Sequence, residues 1–549
     1  MPVVALVVGV GILALAHPSL WSRDAVMTRD HVDFYLRVHQ YQRELQAGHW
    51  PQVLPDAIHG GGHAFPRFYP PVAQFAAVAL NLIVGDVVRA THLAALLTVL
   101  LSGIGMFVLV RRVGGRTLPA FLAMIAYSMM PYRFMVLNVR GAFAEAWAFV
   151  WYPLVLLGVW HAIRDHRFPV WWPLTLAALL CTHAVLSLWA VPAFLAVVIL
   201  VPEVRTLRAL LRPGVIAAVL GAAAAAFYLL PLWHYLPTVR AADPAVMSAT
   251  PETVASYRAN VASFVLAVEI LLAVVAIVVL ARARRGQDHL ARLAAACFLA
   301  HAAFVVLTRA PEAIWRVVPD QLLYIQFPWR LKGPAIFFGA AALGFAGARG
   351  VSRPAGLLMG ALAAALAVVG NLGGRAGRPE KVVPADQVGL FLQEATVYRG
   401  MHGMTIQGEY LPRGTRPLEL AASIQASRDS LDATNPGGWR RADSAIRVRL
   451  RLAASQEVAL PLVAYDFHRV SAANGPPPST GSRDGRLTVH LGPGTHDLRI
   501  TRRIPPVVLA GFAISLAALG LIVALEMRGA YRASSLPPAE SRLDPDTRV

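Results

Sequence analysis

The sequence predicts a mainly α-helical, polytopic membrane protein of about twelve transmembrane helices. A small extracytoplasmic β-rich domain precedes the last of them. Three observations predict it. Of the 549 residues, 56% are hydrophobic and 15% charged, and mean hydropathy is +0.54. That is the composition of a multi-spanning protein, not of a soluble enzyme. Apolar runs near the length that crosses a bilayer recur along the chain. Between Gly373 and Ile504 the pattern changes to period-two alternation punctuated by Gly and Pro, the signature of short strands.

Taken in order, the first apolar run covers residues 1–17. It lacks a charged start, and Ala14-Leu15-Ala16 is a poor cleavage site, so it reads as an uncleaved span. An outer loop, 18–71, follows. Residues 72–84, only 13 between Pro71 and Gly85, are short for a span and read as a juxtamembrane or re-entrant helix. If they do not cross, the arginine loops at 111–116, 164–167, 205–212, 282–285 and 349–353 all fall on the cytoplasmic side, as the positive-inside rule requires. The remaining spans are then 91–110, 118–134, 145–162, 170–185, 186–201, 214–235, 261–281, 290–308, 335–348, 353–371 and 506–526, with both ends cytoplasmic. The domains are 1–372 (transmembrane), 373–505 (outer, β-rich), 506–527 (last helix) and 528–549 (disordered tail). In the outer domain, residues 446–452 and 487–491 read as strands, and Gly492-Pro493-Gly494 as a turn.

The net charge of +19 raises nucleic-acid binding as a class, and the position of the arginines in short loops between apolar runs excludes it. Cys181 and Cys297 sit inside apolar runs and form neither a disulfide framework nor a metal-ligand pattern. There is no HExxH, no Ser-His-Asp arrangement and no nucleotide fingerprint, so no nucleotide cofactor is expected. Gly60-Gly61-Gly62 lacks the lysine of a phosphate loop and reads as a flexible hinge.

The polar, aromatic loop 28–71 is the stretch most suited to carry function. Asp30 and Asp33 lie just beyond the first span. They can act as general base or bind a divalent cation such as Mg or Mn, with Asp30 as the ligand. Alternatively, Asp30 caps a helix 31–47 and Asp33 complements its dipole. Arg140 and Glu145 fall at the outer interface, where ionisable groups are costly and usually paired or functional. Arg140 suits a phosphate. Glu145 either positions Arg140 or is a second acid, and a plain ion pair is the alternative. His183 and Ser187, one helical turn apart, share a face; packing is the alternative. Gln326 and Arg330, in Gln326-Phe-Pro-Trp-Arg330, suit a lipid phosphate or an interfacial anchor. The candidate set is therefore catalytic Asp30, Asp33 and Glu145, with His31, Arg37, Tyr69, Arg140, His183, Gln326 and Arg330 binding substrate.

The segments RDHVDFYLRV, GHWP, GGGHAF and FYPP resemble the start of bacterial membrane proteins called 6-pyruvoyl-tetrahydropterin synthase-related. RGAFAEAWAFVWYPLVLLG (140–158), THAVLSL (182–188), QFPWR (326–330) and GEYLP (408–412) follow in that family's order. The resemblance implies a GT-C glycosyltransferase-like fold in the bacterial inner membrane, related to YfhO-like proteins, with the active site facing outside. It implies a polyprenyl-phosphate sugar donor and a catalytic acid in the first outer loop, a role that falls to Asp30. This chain departs from the usual His-Asp…His form, with Arg29 before Asp30 and Asp33-Phe34 after it. The pterin chemistry in the family's name needs a zinc-binding histidine set that the sequence lacks. The expected activity is transfer of a sugar from a polyprenyl-phosphate donor to an envelope acceptor. The alternatives are a flippase for a lipid-linked sugar, which would show repeated halves and interrupted helices, and a non-enzymatic envelope assembly factor.

Overall fold

A computed structural model describes residues 18–26, 30–164, 168–199, 207–243, 246, 289–325, 327–349, 382–384, 387, 408–435, 437–441, 445–473 and 475–534. The spans expected at 1–17, 261–281 and 353–371 lie outside the described residues, as do Gln326 and the tail beyond 534.

Among the described residues, six helices are long and apolar enough to cross a membrane, and two bent pairs raise that to eight. The chain begins with α1 (His31–Gln46) in the outer loop and the short apolar α2 (Val72–Val84). Pro71 precedes α2, and Gly85 ends it in the left-handed region (φ +71°). At 1.5 Å per residue α2 is about 20 Å long, too short for a hydrocarbon core of about 30 Å. The span α3 (Val87–Gly114) follows, capped by the Asp86 side chain on the Arg89 N–H. Next come α4 (Thr117–Met129) and α5 (Pro131–Arg140), bent by 42°, and then α6 (Phe143–Arg164). The α7 element (Trp171–Ile199) covers both expected spans 170–185 and 186–201. It is broken at His183 (φ −158°, ψ 83°). Ser187 Oγ reaches back to the Leu179 carbonyl (3.2 Å). An unbroken helix would separate those residues by about 12 Å. The remaining spans are α8 (Leu207–Ala224) with α9 (Ala226–Tyr235), bent by 75°, α10 (His289–Thr308), α11 (Lys332–Ala348) entered through the turn Pro328–Leu331, and, after α12 of the outer domain, α13 (Pro506–Ser534). In α13 the apolar part ends at Met527, but the helix runs on to Ser534, so the expected tail is helical in its first turns.

The β-rich domain is a two-sheet sandwich joined to a helix. Outside the sandwich, β1 (Ala25–Val26) pairs antiparallel with β2 (Val382–Val383). One antiparallel sheet of the sandwich has the order β3 (Trp439–Arg441), β4 (Ala445–Leu452), β9 (Gly494–Arg502), β6 (His468–Ala472). The other has the order β5 (Gln456–Val463), β8 (Arg486–Leu491), β7 (Thr480–Arg483). Alternate residues Val448, Leu450, Leu460, Leu462, Val489, Leu498 and Ile500 meet between the sheets and are buried. The helix α12 (Pro417–Thr434) was not expected from the strand-like composition around it. Pro417 in its first turn, Glu419 beside it, and buried Leu420, Ala421 and Ile424 on one stripe form it.

The sandwich and the loop 18–71 are locked together. Arg502 pairs with Glu44 (2.5 and 3.1 Å), and Arg67 with Asp466 (2.8 Å). Arg428 donates to the His59 carbonyl (2.6 Å), and Arg441 donates to the Pro55 and Gly60 carbonyls (2.6 and 2.5 Å). The three glycines at 60–62 are part of this joint and not a flexible hinge. A Cβ on Gly61 would meet Ile424 Cδ1 at 2.7 Å, and the Gly61 carbonyl accepts from the Val463 N–H (2.9 Å). Gly60 and Gly62 hold φ of +79° and +85°, open to glycine at little cost.

Candidate functional site

The site forms where the start of α1 meets the α5–α6 connection. The Asp30 N–H donates to the Arg140 carbonyl (3.0 Å), and the Asp30 carbonyl accepts from Phe34 N–H (3.0 Å). Asp30 occupies the N-cap position, yet its side chain makes no capping bond, so the capping alternative describes its backbone only. Gly141 (φ +69°) lies directly under His31. A Cβ there would come within 2.4 Å of His31 Nδ1 and 2.7 Å of its backbone nitrogen. Phe143 fills the next position, with His31 edge-on at 5.1 Å and Phe34 at 4.7 Å. The two motifs RDHVDF and RGAFAE are therefore one interlocked unit.

Arg140 projects from this joint. Its guanidinium donates to Glu145 (2.9 Å) and to the Tyr132 hydroxyl (3.3 Å), and Tyr132 donates a short hydrogen bond to the other Glu145 oxygen. Glu145 is 2% exposed with both oxygens engaged. Glu145 thus forms the ion pair with Arg140 that a positioning role requires.

Arg37, two turns along α1 from Asp30, reaches Asp33 at 4.0 Å and lies over the Phe65 ring at 4.1 Å. Phe65 stacks on Tyr69 (4.5 Å), whose ring is 5.8 Å from the same guanidinium. Arg330 donates to the Ile325 carbonyl (3.0 Å) and covers the Phe327 ring (4.9 Å). Burial raises the Asp30 carboxyl above its ordinary value; Arg140, Arg37 and Arg330 oppose this, and Asp33 adds to it. Asp30 nonetheless keeps part of its surface accessible, as a group recessed within protein does. Burial likewise raises the Tyr69 phenol, against Arg37, Arg330 and Arg140. One aspartate and one tyrosine thus sit within electrostatic reach of the same three guanidiniums. Arg330 and Arg140 also act on the His183 ring, which places the helix break beside the site. The expected shared face of His183 and Ser187 does not exist, because the helix is broken between its two halves there. Ser187 instead donates to the His183 and Leu179 carbonyls and caps that break.

Two residues outside the expected set complete the cluster. Tyr132 bridges Arg140 and Glu145, as above. Tyr410, from the outer domain's GEYLP stretch, stacks on Phe68 (5.2 Å) and responds to Arg37 and Arg330. Its stretch is bound to the chain after α9 through Ala241 N–H to Glu409 carbonyl (2.7 Å) and Arg240 N–H to Leu411 carbonyl (2.9 Å). The order of GEYLP among the familiar segments was the available signal for Tyr410. Nothing local marks Tyr132.

Among the described residues no three His, Cys, Asp or Glu side chains stand together as a metal site. Asp30 and Asp33 amid three guanidiniums fit an anion better than a divalent cation, whose cage needs more oxygen donors and fewer neighbouring cations.

Residues 66–372 match the family model of the 6-pyruvoyl-tetrahydropterin synthase related domain, described as a membrane protein. The chain belongs to this family. The matched stretch contains Tyr69, Arg140, Glu145, His183, Gln326 and Arg330 and begins after Asp30, Asp33 and Arg37. Among solved structures the fold is similar to that of the arabinofuranosyltransferase AftD from mycobacteria, with a TM-score of 0.50 at 15% identity over 91% of this chain. The family member described here spans 40% of the length of that protein. The likeness is one of fold, and it agrees with the GT-C-like architecture expected from the sequence. No curated protein matches the chain.

Proposed function

We propose that the chain is a membrane glycosyltransferase that moves a sugar from a polyprenyl-phosphate donor to a cell-envelope acceptor at the outer face of the membrane. The observation that carries this reading is Asp30, a buried carboxylate set among Arg37, Arg140 and Arg330. In this reading Asp30 takes the proton of the acceptor hydroxyl. The hydroxyl oxygen forms the new bond to the sugar's anomeric carbon from the side opposite the phosphate. The bond between that carbon and the phosphate oxygen breaks, and the polyprenyl phosphate leaves carrying the electron pair. Its charge develops against guanidiniums already in place. Removing one such pre-organised donor typically costs about 10²–10³-fold in rate. Arginine suits the task because its fork matches phosphate oxygens and stays charged. Glu145 and Tyr132 hold Arg140 in position. The mycobacterial arabinofuranosyltransferase of similar fold supports the class and not the sugar.

The break at His183 and the 75° bend between α8 and α9 are interrupted helices of the kind a flippase would show, so release of the lipid phosphate is the observation that separates the two readings. The test is release of polyprenyl phosphate from a panel of polyprenyl-phosphate sugars by the purified protein in lipid nanodiscs, with and without an envelope glycan fraction. Acceptor-dependent release from one donor supports the reading. Vesicle-to-vesicle movement of the same lipids without release would replace it with transport.

A further inference from the structure

A partly open cavity of about 180 Å³ lies between the far end of α1 and the four-stranded sheet of the sandwich. Arg43, Arg441, Arg502, Glu44 and His468 line it, with Ala445, Ile446 and Leu462 as apolar walls. Its charges do not balance. Glu44 is taken by Arg502. Asp56 serves both Arg43 and Arg441 (3.5 Å to the latter). Three guanidiniums thus share two carboxylates. Beyond the lining, Arg428 adds a further cation beside Arg441, while Asp466 and its ion-pair partner Arg67 both act on His468 and offset each other. The buried Nδ1 of His468 has no hydrogen-bond partner. An excess of positive charge at a recessed site and an unpartnered buried ring nitrogen are costly features in a folded domain. A bound anion relieves both.

We propose that this cavity is a binding site for a small oxyanion-bearing group, the carboxylate or phosphate substituent of an acidic envelope glycan. Its volume equals about six waters at roughly 30 Å³ each, room for one such substituent. The neighbouring open groove, about 700 Å³, shares His468 and carries Tyr465, Asp466, Arg469 and Arg503. It offers the rest of the glycan a polar path past Tyr465. Burial, with Arg502 and Arg441 adding to it, pushes the His468 ring down to about 3, so an anion is met by neutral histidine and charged arginine. α1 links the two sites: Asp30 stands at its start, and Arg43, Glu44 and Ala47 stand at its end, about 20 Å away. On the transferase reading this is where an acidic acceptor is recognised; the binding itself does not depend on that reading.

The test uses the full chain in detergent and measures binding calorimetrically with D-glucuronate, glucose 6-phosphate and neutral glucose. Either anion binding while glucose does not, with affinity falling as salt rises, supports the site, and the preferred anion names the substituent. Arg43→Gln, at a half-exposed position, lowers that affinity at least tenfold. Ala445→Glu tethers a carboxylate in the cavity, abolishes anion binding and raises the thermal midpoint. Asp30→Asn leaves anion binding intact, which separates this site from the transfer chemistry. Equal binding of glucose, no binding of either anion, or glucuronate binding unchanged in both Arg43→Gln and Ala445→Glu overturns the proposal.

Discussion

Gly141→Ala tests how the site is assembled, because its cost divides into two parts. The first is backbone strain: φ +69° is a left-handed conformation that costs an L-residue about 1–2 kcal/mol. The second is contact: the new Cβ would stand 2.4 Å from His31 Nδ1 and 2.7 Å from its backbone nitrogen. Overpacking of this kind costs about 1–3 kcal/mol more. Gly115 supplies the control, since it has φ +72° and nothing within 4 Å of its Cβ. Gly115→Ala therefore costs only the strain, about 1–2 kcal/mol, and Gly141→Ala about 2–5 kcal/mol. Relief at Gly141 must push His31, and with it Asp30, away from Arg140. A displacement of about 1 Å at a reacting group can cost about 10²-fold in rate. Thermal unfolding in detergent and polyprenyl-phosphate release are measured on both variants. The expected result is a larger fall in midpoint for Gly141→Ala, together with a loss of transfer that Gly115→Ala does not show. Equal stability and equal transfer in the two variants would refute the claim that the RDHVDF and RGAFAE motifs are held in register by this contact.

Further outcomes follow from the same geometry. Arg502→Ala leaves Glu44, 6% exposed at its side chain, buried and unpaired, a loss of about 3–5 kcal/mol; limited proteolysis should then cut the first outer loop faster than in wild type. Because burial raises the Asp30 carboxyl, the stability it contributes relative to the unfolded chain is full below the ordinary 3.8 and is lost as pH rises through the raised value. Asp30→Asn should accordingly be at least as stable as wild type at neutral pH, and the acid limb of the transfer profile should lie above pH 3.8 in wild type. His31, His63 and His468 are all pushed down to about 3 by burial, so the stability they contribute is present above about 6.5 and declines as pH falls toward 3. Thermal midpoints should drop over that window, less so in His468→Gln. Of the site's three carboxylates Glu145 is taken up by Arg140 and Tyr132, and Asp30 and Asp33 stand beside guanidiniums, so transfer should persist in EDTA; loss of activity restored by Mg or Mn would assign Asp30 to a metal.

The membrane part was largely legible because hydropathy is a local signal. Each apolar run of adequate length in the described residues became a helix, and the shortness of 72–84 was set by Pro71 and Gly85 at its ends. Strands β4 and β8 and the turn between β8 and β9 were legible from alternation and Gly-Pro-Gly. The break at His183 was legible as a boundary between two spans and not as a bend within one element. It depends on the fit of Ser187 to the Leu179 carbonyl, which no local pattern encodes. The helix α12 was missed because only three of its positions are buried, so its apolar stripe is thin. Gly60-Gly61-Gly62 read as a hinge because glycine permits many conformations. Its partners Ile424, Arg428, Arg441 and Val463 lie more than 360 residues away and select one. Candidate residues chosen one motif at a time proved to share one place: Arg37, Arg140 and Arg330 act on Asp30 and Tyr69, Asp33 lies beside Asp30 and Arg37, and Arg140 and Arg330 act on His183. Tyr132 was invisible for the same reason as the break, since its role exists only once Arg140 and Glu145 are folded together.

The central claim is that Asp30 is the base of a sugar transfer whose leaving phosphate is held by Arg140 and Arg330. The most direct measurement is single-turnover transfer by Asp30→Asn beside its binding of the same polyprenyl-phosphate sugar, with Arg140→Gln in parallel. The account predicts that Asp30→Asn binds donor as wild type does and transfers at least 10²-fold more slowly, while Arg140→Gln loses donor affinity as well. Wild-type transfer by Asp30→Asn would contradict it.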